Sequence, residues 1–329
     1  MAYRFKLSEP IKSGFQRIGL EQIQRAEREL LQAASQETTI HETRKCLKRV
    51  RALLRLVRPG LRAKDFALSN AMFRQIGALL SEARDNQIML QTIAKLEAHG
   101  ARAPLQGLKR LVLAGRGDSS ADMDPGLTAA AIDGLRQART HFEGLRIAPS
   151  KFATLRRGLE RSYAHGRRAM SAAYAQPTDE AFHELRKQVQ LHWRQMQLLQ
   201  RAWPEFCAAR VAAARDLSQI LGDDQDLSVL KAFLRRAPRD QIGLLESKAI
   251  RRAIRDSQRE LREAAWPRVR RLFAERPRDI GRQFDVLWTS AKRIREDDHR
   301  QDNRAEPAGV DSEPAAPRIN PNKKSSMAA

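Results

Sequence analysis

The chain is poor in cysteine and in aromatic side chains. Of its 329 residues only Cys46 and Cys207 are cysteines. Two cannot build a disulfide framework or a cysteine-rich zinc site. A reducing cytosol is the simplest setting for such a chain. Aromatic residues make up 5%, which is sparse for a protein that stacks on bases. No stretch approaches the ~18 consecutive apolar residues of a membrane-spanning helix. The opening Met1-Ala2-Tyr3-Arg4-Phe5-Lys6 meets charge at once, so no secretory leader is expected. Val, Ile and Thr do not alternate with polar residues, so no sheet is expected. A phosphate-cradling Gly-x-x-x-x-Gly-Lys-Ser/Thr loop is missing, as is a Gly-x-Ser-x-Gly nucleophile elbow. Helix-turn-helix and zinc-finger signatures are missing too.

Charge of one sign is abundant. Lys+Arg total 61 against 39 Asp+Glu, a net charge of +22. Fourteen of the cations are lysines and 47 are arginines. The planar fork of arginine suits phosphate and carboxylate oxygens. An excess this large points to an anionic partner. With 42% hydrophobic residues, the chain can still bury a core.

Ala, Leu, Arg, Glu and Gln dominate, and all favour helix. The pattern reads as helix throughout. Expected helices run from Ser8 to about Gln36, from Thr38 or Thr39 to Pro59-Gly60, from Lys64 to Leu80 and from Glu82 to Ala98. A short one follows from Pro104 to Ala114, then a loop to Gly126, then a helix from Leu127 to Glu143. Within the loop, Arg116-Gly117-Asp118 matches a cell-adhesion tripeptide by chance alone. The second half repeats the plan from Ser150. Pro177-Thr178-Asp179 caps one helix, Pro204 opens another that closes at Leu221-Gly222, and Asp223 opens the next. Further helix is expected to Phe273 and from Pro277 to Arg295. From Glu296 on, apolar periodicity stops and a disordered tail is expected. The expected divisions are residues 1–148, 149–295 and the tail 296–329.

Two segments align. One begins His41-Glu42-Thr43-Arg44-Lys45, the other His183-Glu184-Leu185-Arg186-Lys187. Arg84-Asp85 through Met89 aligns with Gln225-Asp226 through Leu230 at nearly the same offset. A duplicated unit predicts two similar helical bundles. On a helical wheel at about 100° per residue, His41, Arg44, Lys45, Lys48, Arg51, Ala52 and Arg55 share one side. Cys46, Leu47, Val50, Leu53, Leu54 and Val57 share the other. The His41–Arg58 stretch carries seven cations and one acid. Solvated faces mix signs, because like charges at i,i+4 repel. A row of cations without counter-charges points to a bound anion. The second copy is weaker. His183, Arg186, Lys187, Arg194 and Arg201 share a face, but Gln190 and Gln197 stand where Lys48 and Arg55 stand in the first. His192 lies opposite, as a satisfied core residue.

Neither histidine belongs to a His-x-x-x-His pair, so no metal site and no cofactor are expected. No nucleophile or paired acid accompanies them, so no catalytic residue is assigned. Glu82, Asp85, Asp223, Asp224 and Asp226 are read as helix starts, where carboxylates favour the macrodipole.

The repeated His-x-x-Arg-Lys motif resembles that of the CHAD family, the conserved histidine α-helical domain. The opening Tyr3-Arg4-Phe5-Lys6-Leu7 and the run Leu53-Leu54-Arg55-Leu56-Val57-Arg58-Pro59 are similar to it too. The resemblance spans roughly residues 5 to 275. It implies an all-α fold of two tandem four-helix bundles related by a pseudo-twofold, with a basic groove or pore between them. It implies binding of inorganic polyphosphate without catalysis, in the cytoplasm at polyphosphate granules. The residues it points to are His41, Arg44, Lys45, Lys48, Arg51 and Arg55, with His183, Arg186, Lys187 and Arg194 opposite. Gln190 departs from a position usually basic in the family, and Arg194 replaces a common aromatic. Some members carry a Glu-x-Glu-x-Lys triphosphate-processing motif, which this sequence lacks. Granule-associated proteins are possible partners; a membrane is not expected. The alternative is a non-specific nucleic-acid binder, favoured by pI but not by the aromatic-free His41 face. A third reading is a His-dependent phosphohydrolase.

Overall fold

The structure is a computed structural model that describes residues 3–32, 36–80, 85–98, 104–114, 125–237 and 242–305. The described residues form eleven α-helices and no strand. They are α1 (Ile11–Leu31), α2 (Gln36–Val57), α3 (Ala63–Leu79), α4 (Asp85–Ala98), α5 (Gln106–Ala114) and α6 (Pro125–Glu143). The second half holds α7 (Phe152–Ala175), α8 (Asp179–Leu198), α9 (Pro204–Arg236), α10 (Leu244–Leu272) and α11 (Pro277–Ala305).

Apolar spacing drives the assembly. On α2, Leu53, Leu54, Leu56 and Val57 are all 0% exposed, each burial contributing about 1.5–3 kcal/mol. The helix stops where Pro59 removes a backbone donor, and a 3-10 turn covers Arg58–Gly60. On α8, the Thr178 hydroxyl accepts from the Ala181 amide at 3.1 Å, and Asp179 and Glu180 fill the first turn. Both features stabilise a helix start.

Helices α1, α2, α3 and α6 contact one another in a ring. In the second half α7 meets α8, α8 meets α9, and α9 meets α10. Tyr163 and Tyr174 of α7 reach back to α10 carbonyls at Leu272 and Arg262. One core runs across both halves. The N-terminal segment crosses between them: the Phe5 amide donates to the Leu198 carbonyl, and the Tyr3 hydroxyl to the Arg49 carbonyl. A second core joins α4 and α5 of the first half to α9 and α10 of the second. Lys95 of α4 pairs there with Asp223 of α9 at 2.7 Å.

Helices α2 and α7 approach so closely that a Cβ on Gly158 would overlap the Leu56 carbonyl oxygen. Glycine is required there by close backbone approach.

Three expectations need correction. Gly222 does not end a helix, because α9 continues from Pro204 to Arg236. A Cβ at Gly222 would sit 3.0 Å from the Arg186 guanidinium, so the glycine makes room for a side chain. Asp223, Asp224 and Asp226 therefore lie inside α9 and not at a helix start. Asp224 is 2% exposed and accepts from Arg262 Nε at 2.7 Å. Last, helix continues past Glu296 to Ala305. No proline or glycine intervenes there, and Asp297 pairs with Arg300 one turn on. Glu82, Arg84 and Arg116-Gly117-Asp118 lie outside the described residues, as does the chain beyond residue 305.

Candidate anion-binding site

Beyond Lys48, the cationic face of α2 is partly covered by other helices. Ala52, in its middle, is 1% exposed, and α7 and α8 both contact this helix. The small alanine lets neighbours close over the face. Arg51 and Arg55 are half-buried in consequence. Burial, with the nearby charges of Arg55 and Arg74, pulls the Arg51 guanidinium down to about 10. Its Nε donates to Asn70 Oδ1 of α3 at 3.1 Å. Burial lowers Arg55 as well, against the Glu184 carboxylate of α8. Arg58 stacks on the Phe66 ring at 4.4 Å, and burial and Arg161 lower it.

Helix α7 adds cations that the repeat did not reveal. Arg161, His165 and Arg168 lie at i, i+4 and i+7 and are exposed. Burial, then Arg168, Arg161, Arg58 and Arg55, lowers the His165 imidazole below its usual range. No acid figures among the charges that shift Arg51, Arg58 or His165. The cluster therefore joins α2, α3 and α7, with Glu184 of α8 at its edge. Its helical spacing on α7 was legible in the sequence. Its juxtaposition with α2 was not.

The other expected residues divide. His41 and Lys48 are exposed on α2. Arg44 donates to the Leu80 carbonyl at 3.0 Å. Lys45 has a counter-charge after all: Glu42 Oε1 lies 2.9 Å away, and Arg25 shares that carboxylate. Lys187 pairs with Glu184 at 3.4 Å in the same i,i+3 relation. Exposed pairs of this kind contribute roughly 0–1 kcal/mol, so both ammonium groups can exchange partners.

In the second copy, His183 is hydrogen-bonded to the Gln225 side chain, and burial lowers its pKa. Its Nδ1 and Arg186 Nε are buried without a partner. Arg186 lies against Gly222 and feels Asp226 and Asp223. Gln190 donates to Ser218 of α9 at 3.3 Å. Arg194 is 6% exposed, donates to the Gln190 carbonyl at 2.7 Å and stacks on Trp193 at 4.5 Å. Burial lowers its pKa, and the groups that also act on it are Tyr3, Arg49 and Arg215, so it sits apart from the Arg55–His165 cluster. His192 is core, as expected, at 3% exposed. Burial holds it neutral, at about 3, and its Nδ1 has no partner.

Among the described residues no three His, Cys, Asp or Glu side chains gather as metal ligands. No helix there is long and apolar enough to cross a membrane. Such a site can hold an extended anion by charge and hydrogen bonds.

A family model described as the CHAD domain matches residues 17–235. No curated protein matches the chain. Among solved structures, PptA from Streptomyces chartreusis is similar, with a TM-score of 0.55 and 17% identity. The match covers 81% of this chain and 100% of that one. At that identity the likeness is one of fold alone.

Proposed function

The chain belongs to the CHAD domain family, whose model spans well over half of it, and from that premise we propose that it binds inorganic polyphosphate. The observation that carries the reading is the acid-poor cluster of Arg51, Arg55, Arg58 and His165. Burial and mutual repulsion make each charge there unfavourable. A polyanion laid along the cluster relieves both effects. Polyphosphate has a charge on every unit and no bases, and the one ring placed on the cluster among the described residues, Phe66, is already covered by Arg58. His41, Arg44, Lys45 and Lys48 extend the track along α2. His183, Arg186 and Lys187 extend it from α8.

The finer architecture belongs to the same proposal. Two four-helix bundles, α1–α2–α3–α6 and α7–α8–α9–α11, are related by a pseudo-twofold with the basic groove between them. The boundary falls near residue 149. Two observations support the relation. Arg44 reaches Leu80 and Arg186 reaches Gly222, and both spans cover 36 positions, 44 to 80 and 186 to 222. Glu42–Lys45 and Glu184–Lys187 pair alike. Binding without catalysis would place the protein at polyphosphate granules in the cytoplasm, beside other granule proteins.

The test is competition. Long-chain polyphosphate is held on the protein at near-physiological salt, and duplex or single-stranded DNA is added at matched charge. Polyphosphate that survives a large excess of both supports the site. Displacement charge for charge moves the nucleic-acid reading ahead.

A further inference from the structure

A cleft lies between the end of α7, the start of α8, α9 and α10. It encloses ≈ 760 Å³, within the usual size of small-molecule sites. One wall is aromatic. The Tyr174 ring lies 4.3 Å from Trp266 and 5.2 Å from Phe182, centroid to centroid. Trp266 remains 38% exposed, although tryptophan is a costly side chain to leave in water, and the exposed Arg270 guanidinium, 5.3 Å from the ring centroid, is what an incoming base would displace. The rim carries three exposed arginines, Arg235 of α9 with Arg255 and Arg259 of α10, against two exposed acids, Glu180 and Glu263, and Arg259 also pairs with Asp256 at 3.4 Å. Arg255, Arg259, Arg262 and Trp266 recur along one side of α10, so Arg259 and Arg255 stand about 10 Å and 16 Å along the axis from Trp266.

The floor is rigid. Asp179 accepts from Lys231 at 2.9 Å, Gln258 at 3.1 Å and Arg262 at 2.8 Å. Arg262 is also held by Asp224 and lies over the Phe182 ring at 4.3 Å. A fully paired floor under an exposed indole is a preformed site.

We propose that this cleft binds a nucleoside polyphosphate, its base stacked on Trp266 and Tyr174 and its phosphates on Arg259 and Arg255. A plain phosphate polymer has no use for the aromatic wall. A neutral heterocycle has no use for the arginine rim. Only a ligand with both parts uses the whole cleft.

The experiment titrates the full chain calorimetrically with ATP and, separately, with inorganic tripolyphosphate. The basic face of α2 and α7 meets only the phosphates, so it contributes to both titrations. The cleft contributes the preference for ATP. ATP is expected to bind at least ~5-fold more tightly, the lower end of base stacking on an aromatic side chain. Trp266→Ala should erase that preference and leave tripolyphosphate binding unchanged. Trp266→Phe should keep most of it. Arg255→Gln/Arg259→Gln, on exposed positions that leave the core intact, should weaken ATP several-fold. Equal affinity for the two probes overturns the proposal. So does a preference that survives Trp266→Ala, or an Arg255→Gln/Arg259→Gln protein that binds ATP unchanged.

Discussion

Helices α2 and α8 carry the same opening motif and use it differently. On α2 the cations lie beside more cations from α3 and α7. Of His183, Arg186, Lys187 and Arg194 on α8, only Lys187 stays exposed. Arg186 settles against Gly222, His183 against Gln225, and Gln190 ties to Ser218. Arg194 is buried on Trp193. The partner helices differ in step: α9 is a single helix of 33 residues, whereas α3 and α4 are separate. A duplicated motif thus fixes how two side chains leave a helix, and the surroundings decide whether they meet a ligand or a neighbour.

The comparison can be broken most directly on α2. Arg51→Gln/Arg55→Gln/Arg58→Gln should weaken long-chain polyphosphate by ~100-fold or more, at roughly 1 kcal/mol or more per charged contact. The control Arg278→Gln/Arg282→Gln/Arg293→Gln removes the same charge from exposed positions on α11. An equal loss there would mean a diffuse basic surface and no site. By analogy with nucleic acid, the salt slope of binding should drop by about 0.7–0.9 per cation removed.

Next is the seam that brings α7 to α2. Gly158→Ala presses a methyl into the Leu56 carbonyl. Overpacking of this kind costs typically 1–3 kcal/mol. A loss of that size in urea unfolding, with weaker polyphosphate binding, would tie the site to the seam. Unchanged stability would show that the helices can separate freely.

Protonation separates core from site. His192 has its ordinary value of 6.5 when unfolded and about 3 when folded. A depressed histidine favours the fold above 6.5, and the contribution is lost as pH falls toward 3, by about 1.4 kcal/mol per pH unit. His192→Phe should flatten the acid side of a stability–pH profile. His165 behaves in the opposite sense for binding. Its pKa is low in the free protein, and a polyanion raises it. Binding takes up a proton, so affinity should rise as pH falls from neutral toward the free value. His165→Gln should remove that rise by a few-fold; an unaltered profile would take His165 out of the site.

The finest comparison uses matched positions. Lys45→Gln and Lys187→Gln each remove one ammonium group that pairs with a glutamate three residues before it. Each should lower affinity only two- to five-fold, the scale of one exposed ion pair of up to about 1 kcal/mol. Lys45→Gln should have the larger effect, because more cations flank it. A larger effect at Lys187 would reverse the ranking of the two copies.

Much was legible without coordinates. Composition and apolar spacing determined the all-helical class, because an amphipathic pattern of period 3.6 buries only as helix. The repeat at His41 and His183 marked the family. The apolar side of α2 was read correctly, since Leu53, Leu54 and Val57 have nowhere else to go. Only the tertiary structure decided the rest. Gly222 read as a stop because glycine disfavours helix interiors, yet packing of Arg186 over α9 made it an interior residue. Asp224 read as a helix start, yet a buried guanidinium 38 positions away holds it. Arg161, His165 and Arg168 carry no mark that separates them from any charged helix face. Their role depends on lying beside Arg55 and Arg58, and that closeness exists only because Gly158 lets two backbones touch. Local sequence sets which side of a helix is apolar. Which charges face one another is set by how helices distant in sequence come together.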